Sequence, residues 1–173
     1  ADHWERIASD KVPALESISE RMTSLLKLTA RKFFRQSVDI TPRPWREERW
    51  GLYSRRLPVP TSLNVIEVRS HNCKGVITLD AGFVFTLVDI FFGGDGKGRR
   101  LEGNSEFTPM ETRLVRKFVT AVTQDMRDAW KPFVAMDFQL GASEINPIFA
   151  AVAAGSDSMC ITGFDLTLSG QEF

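Results

Sequence analysis

The 173 residues hold only two cysteines, Cys73 and Cys160, and two histidines, His3 and His71. Neither cysteine stands in a CxxC pair or at zinc-ligand spacing, so no disulfide framework and no metal site is predicted, and a reducing, cytosolic setting is expected. His3 lies in the N-terminal stretch and His71 in the turn-like "SHNCKG", where side chains are usually solvated. A thiol site at His71-Asn72-Cys73 would need a second base, and none is near in sequence. Excess charge is missing as well: 22 basic residues balance 22 acidic ones, which removes any global pull toward nucleic acid or acidic lipid. No run of 18 apolar residues occurs, and the charged first thirty residues contain no apolar segment with a cleavage site. Neither export nor direct membrane insertion is predicted.

What remains is an ordinary globular composition, with 43% apolar and 25% charged residues. A chain of this length buries roughly 70% of its unfolded surface in one core. A single domain over residues 5–173 is therefore expected.

Apolar residues recur at helical steps from Asp10 to about Gln36 through Leu15, Ile18, Met22, Leu25, Leu26, Thr29 and Phe33. The spacing predicts an amphipathic helix with Ser9 or Asp10 as N-cap and Pro13 in its first turn. "SVDITPRPWREERWG" reads as an edge strand or extended segment because of its prolines, and "RRLPVPTS" as a rigid connection. "LNVIEVRS" and "GVITLD", joined by "HNCKG", predict a hairpin. Asp80 is placed to cap a buried helix over "AGFVFTLVDIFF", with Gly93 as its C′ residue. Thr108-Pro109-Met110-Glu111 is a capping box with proline at the first helical position. Leu114, Val115, Phe118, Val122, Met126 and Trp130 carry one face of that helix to Pro132. A strand around "FVAMDFQLG", a short apolar piece "PIFAAVAAG" and a strand in "MCITGFDLTLS" follow.

These elements form two similar halves, 10–92 and 108–173, each opening on a long helix. The second stops where its last strand would start, at "GQEF", so it is read as truncated at its C-terminal end. The expected fold class is α/β, with two long helices on a central, mostly antiparallel sheet.

"FFGGDGKGRR", Phe91 to Arg100, is the one segment whose composition asks for an explanation. A phosphate loop needs GxxxxGK followed by Ser or Thr and a helix start; here Gly96-Lys97 is followed by Gly98, and the segment follows a helix. The helix C-terminus favours cations rather than phosphate. A C-cap with a flexible connection explains Gly93 but leaves the further glycines costing unfolded-state entropy. A backbone without Cβ atoms also admits a partner at close range, so connection and contact both stand at this point.

Glu16 and Glu111 occupy matching places early in the long helices, where a pair of carboxylates could orient a water. Glu111 is already used by the capping box, and Glu16 suits a first helical turn. Asp89, inside an apolar helix, reads as a hydrogen-bonded or rim carboxylate. Arg43, Arg46, Arg49, Arg55 and Arg56 lie among Trp45, Trp50 and Tyr53, but Glu47 and Glu48 interrupt them, so a solvated or protein-contacting edge outweighs a nucleic-acid surface.

"LPVPTSLNVIEV", "FTLVDIFFGGDG", "FTPMETRLV" and "DAWK", in that order, resemble the middle domain of the FliM family of flagellar motor switch proteins, over nearly the whole chain. The resemblance implies a pseudo-two-fold α/β/α domain related to CheC, CheX and FliY. It implies a non-enzymatic, cofactor-free component of the switch ring on the cytoplasmic face of the inner membrane. In that ring it would stand beside other FliM copies and bind FliG, with phosphorylated CheY setting rotation direction through a weak contact on this domain. FliN would be met through regions outside this chain. The family's GGxG motif falls on Gly93, Gly94, Asp95 and Gly96, and Phe92, Lys97 and Arg100 join the implied FliG site by proximity. The alternative is a CheC- or FliY-type phosphatase of phospho-CheY, whose ExxN pattern would fall on Glu16 to Ser19 and Glu111 to Leu114. Neither stretch offers the amide, so hydrolysis is not expected.

Overall fold

The computed structural model describes residues 2–97 and 106–173, with side chains from Ala14 onward. Helix α1 (Asp2–Phe34) is followed by strands β1 (Asp39–Pro42) and β2 (Arg46–Arg49), helix α2 (Trp50–Arg56), and the hairpin β3 (Ser62–Val68) and β4 (Cys73–Leu79). Helices α3 (Ala81–Phe91) and α4 (Pro109–Trp130) come next, then β5 (Phe138–Glu144), β6 (Ser158–Ile161), β7 (Phe164–Leu168) and β8 (Gln171–Glu172).

In place of one central sheet the described residues form three antiparallel sheets, ordered β1-β7-β8, β2-β6 and β4-β3-β5. Each half supplies a strand to the other. β1 pairs with β7 from Asp39↔Thr167 to Pro42↔Phe164, and β5 pairs with β3 from Leu63↔Glu144 to Val68↔Phe138. This exchange gives the pseudo-two-fold α/β arrangement.

Local chemistry accounts for the elements that were predicted. The Asp80 carboxylate accepts the Phe83 N–H at 3.1 Å and starts α3. In α4 the Thr108 hydroxyl accepts from Glu111 N–H while the Glu111 carboxylate accepts from Thr108 N–H at 2.7 Å, with Pro109 at the first position. Asn72, in the left-handed region at φ 47°, turns the β3–β4 hairpin, and the tight turn lets β4 begin at Cys73.

Four boundaries differ from expectation. α1 begins at Asp2, with Pro13 inside it rather than in a first turn, because a proline removes one backbone donor while "HWERIAS" before it holds no glycine or proline. "WGLYSRR" forms the unpredicted α2, which packs Trp50 inward among Leu63, Val65, Ala150 and Val152. β5 starts at Phe138, five residues after Phe133, since residues 131–133 continue as a turn after α4. "MCITGFDLTLS" is two strands broken at Thr162-Gly163, each serving a different ladder.

The main core lies where α1, α3 and α4 meet. Phe34, Phe83 and Phe118, one from each helix, pack with ring centroids 5.4 to 6.5 Å apart. Phe33 and Phe173 add edge-on contacts to Phe118 and Phe83. β3 is covered on both faces: Leu63 and Val65 face α2, and Ile66 and Val68 pack with Phe138 toward Met126 and Trp130 of α4. Fully buried Asn64 is satisfied by Ser62, Ser143 and the Ile77 carbonyl.

Between the long helices, buried Asp125 accepts the Thr29 hydroxyl at 2.5 Å. Removal from water raises its carboxyl above the ordinary 3.8, and Asp128 adds to the rise, while the Thr29 hydrogen bond and Lys32 oppose it. The folded chain therefore holds this proton more tightly than the unfolded chain. Its contribution is complete below the ordinary carboxylate value and is lost as pH climbs through the raised one.

Two measurements check this account. Asp125→Asn, which keeps an acceptor for Thr29, is expected to melt above the wild type at pH 7, with the difference closing as pH falls below the ordinary carboxylate value. Phe118→Ala empties the three-helix junction and should cost about 3–5 kcal/mol in chemical denaturation.

Candidate functional site

The loop Phe91 to Lys97 begins as the C-terminal cap of α3. Phe92 is the C-cap, and Gly93 follows in the left-handed region at φ 91°. Gly93 N–H donates to the Ile90 carbonyl at 3.0 Å and Gly94 N–H to the Asp89 carbonyl at 2.8 Å, the paired bonds of a Schellman turn. The cap thus takes Gly94 as well as Gly93, where the sequence assigned it to Gly93 alone.

Beyond the cap the chain folds back on the helix it has left. Gly96, at φ 80°, is buried; a Cβ there would press on Ile90 and Thr86. Its N–H donates to Asp89 Oδ2 at 2.8 Å, and its carbonyl accepts from Gln171 Nε2 of β8 at 2.8 Å and from Thr86 Oγ1 at 3.4 Å. Asp95 receives the Lys97 N–H at 2.9 Å. The loop as far as Gly96 is held from α3 on one side and from β8 on the other. The amides of Gly93, Gly94, Gly96 and Lys97 are all taken internally, so among the described residues of the loop these N–H groups form no phosphate cradle.

The same folding pushes apolar surface outward. Phe91 and Phe92 are 57% and 61% exposed, and their rings meet edge to face at 5.4 Å. Of the residues assigned to the site from sequence, Phe92, Gly93, Gly94, Asp95 and Lys97 form one exposed surface, and Gly96 is turned inward beneath it. Arg100 lies outside the described residues. Phe91, Asp89, Thr86 and Gln171 were not assigned. Phe91 was legible as the last apolar residue of α3, next to the glycine turn, and Asp89 as the one carboxylate in that helix. Gln171 carries no sequence signal.

The other constellations are absorbed by the fold. Ser19, at the amide position of the first ExxN stretch, is buried, and its hydroxyl accepts the Trp45 indole N–H at 2.7 Å. Leu114, its counterpart, is in the core, and Glu111 is occupied by its capping box. Glu16 is exposed. Arg43 Nε bonds Asp165 at 2.8 Å, and Arg56 and Arg46 reach Glu48. Trp50 is buried, Trp45 packs edge-on to Trp130, and the Tyr53 hydroxyl bonds Thr78, so the aromatics needed for base stacking face inward. His71 shares a hydrogen bond with Ser70 on an exposed turn. Among the described residues no cluster of three or more His, Cys, Asp or Glu side chains is placed to hold a metal, and no helix is long and apolar enough to cross a membrane.

The family model described as "Flagellar motor switch protein FliM" matches residues 8–172. FliM of Pseudomonas aeruginosa is 35% identical over 166 residues, which is 96% of this chain and 51% of that protein. The chain spans about half the length of the curated relatives it matches. The crystal structure of the FliM middle domain from Vibrio alginolyticus is similar at TM-score 0.81 and 29% identity, covering 92% of this chain and 89% of that one. FliM in a FliG–FliM complex from H. pylori is similar in fold at TM-score 0.84 and 23% identity, covering 92% and 86%. With 165 of its residues inside the family model and the fold of the middle domain, the chain belongs to the FliM family of flagellar motor switch proteins.

Proposed function

We propose that this chain is a structural, non-enzymatic part of the flagellar motor switch that binds FliG through the exposed face of the Phe91–Lys97 loop. The observation that carries it is an exposed phenylalanine pair mounted on an internally locked glycine turn. Large exposed aromatics add nothing to the core, yet they supply the contact area typical of interface anchors. Locking the turn removes much of the ordering cost of association. FliG is the partner found with FliM in the H. pylori complex, and it enters here as the occupant of this surface. Gly93, Gly94 and Asp95 would present backbone and one carboxylate between the rings and Lys97.

A ring of such chains, side by side on the cytoplasmic face of the inner membrane, is the assembly this role requires. Phosphorylated CheY would act on it weakly through this domain, and FliN through regions outside the chain. A phosphatase role is disfavoured because the two positions that would carry its amides are Ser19 and Leu114, both committed to packing.

Calorimetry against FliG from the same organism tests the docking surface. Phe91→Ser/Phe92→Ser should weaken binding by about 2 kcal/mol or more while leaving the melting temperature within a degree or so, as for removal of an exposed anchor. Unchanged affinity would remove the loop from the interface. Adding the chain to phospho-CheY is expected to leave its decay rate unaltered, and any acceleration would reinstate the phosphatase alternative.

A further inference from the structure

We infer that the glycine requirement at position 94 is imposed from inside the fold by Asp89, which acts as the positioning residue of the docking loop. The inference rests on the reading above and concerns how the loop is held.

Gly94 is exposed and does not have the left-handed φ that Gly93 and Gly96 adopt, so its own backbone does not demand glycine. The obstacle is a neighbour. A Cβ at position 94 would fall on the Asp89 carboxylate, well inside van der Waals contact. That carboxylate cannot swing away freely, because its Oδ2 holds the Gly96 N–H at 2.8 Å. Asp89 also binds the turn through its backbone, where its carbonyl accepts the Gly94 N–H at 2.8 Å. One residue therefore closes both ends of the turn, and the bare Cα of Gly94 is the space its side chain needs. Thr86 of the same helix and Gln171 of β8 both bond the Gly96 carbonyl, so Gly96 is fixed at donor and acceptor alike. A side chain at position 94 would thus disturb docking by displacing Asp89 and releasing Gly96, whether or not the partner touches that position.

The 173-residue chain carrying Asp89→Ala, Asp89→Asn, Gly94→Ala or Asp89→Ala with Gly94→Ala separates the possibilities. FliG affinity is measured by calorimetry, and hydrogen exchange at the Gly96 amide and melting temperature are measured without FliG. Asp89→Ala is expected to weaken FliG binding about tenfold, the scale of one lost hydrogen bond to a charged group, and to speed Gly96 exchange. Asp89→Asn should restore both, since its carbonyl oxygen still accepts the Gly96 N–H. Gly94→Ala should weaken binding in the wild-type background and add little once Asp89 is alanine. Full additivity of the two losses, or wild-type affinity and exchange in Asp89→Ala, would overturn the inference. If the wild-type chain does not bind FliG, the docking role falls, and the same cycle in melting temperature and Gly96 exchange still decides the role of Asp89.

Discussion

Everything that displays the loop depends on the junction of Phe34, Phe83 and Phe118. α3 is a helix of eleven residues, too short to hold itself together in water. It gains its place by inserting Phe83 between rings of the two long helices, with Val84 and Leu87 fully buried in the same core. Once that first half is anchored, the helix axis is fixed. The helix end then leaves the core, carrying Phe91 and Phe92 into solvent and setting Asp89 over the turn that follows.

The turn uses the helix that made it. Schellman bonds to Asp89 and Ile90 satisfy the last carbonyls of α3, and the Asp89 side chain draws Gly96 back under the helix end. Gln171 of β8 donates to the Gly96 carbonyl, and the β8 sheet runs through β7 to β1 beside the first long helix. The loop is therefore bonded to both halves of the domain. In the same fold Arg43 pairs with Asp165, Arg46 and Arg56 share Glu48, and Trp45 and Trp50 pack inward. The exposed aromatic pair at Phe91 and Phe92, like Ile148 and Phe149 elsewhere on the surface, is a feature that the core does not explain.

Much of the architecture was readable from residue order because it is set by local chemistry. The Thr108–Glu111 capping box, the Asp80 cap, the β3–β4 hairpin and the turn at Gly93 each need only a few adjacent residues to form their bonds. α2 was hidden because two arginines and a glycine in "WGLYSRR" give a weak pattern, and it is the pocket around Trp50 that holds it. The break between β6 and β7 was hidden because an unbroken alternation does not say that its two ends pair with different strands, β2 and β1.

Sequence by itself determined the two long helices and the glycine-rich turn that ends α3, because caps and apolar spacing are local. Only the tertiary structure decided what each glycine is for. Gly93 answers to its own φ, Gly94 to the carboxylate of Asp89, and Gly96 to its φ together with burial against Thr86 and Ile90 and the bond from Gln171, 75 residues away. The physical reason is range: a cap bonds residues three to five apart, whereas the space left for a side chain is set by whatever the fold brings beside it.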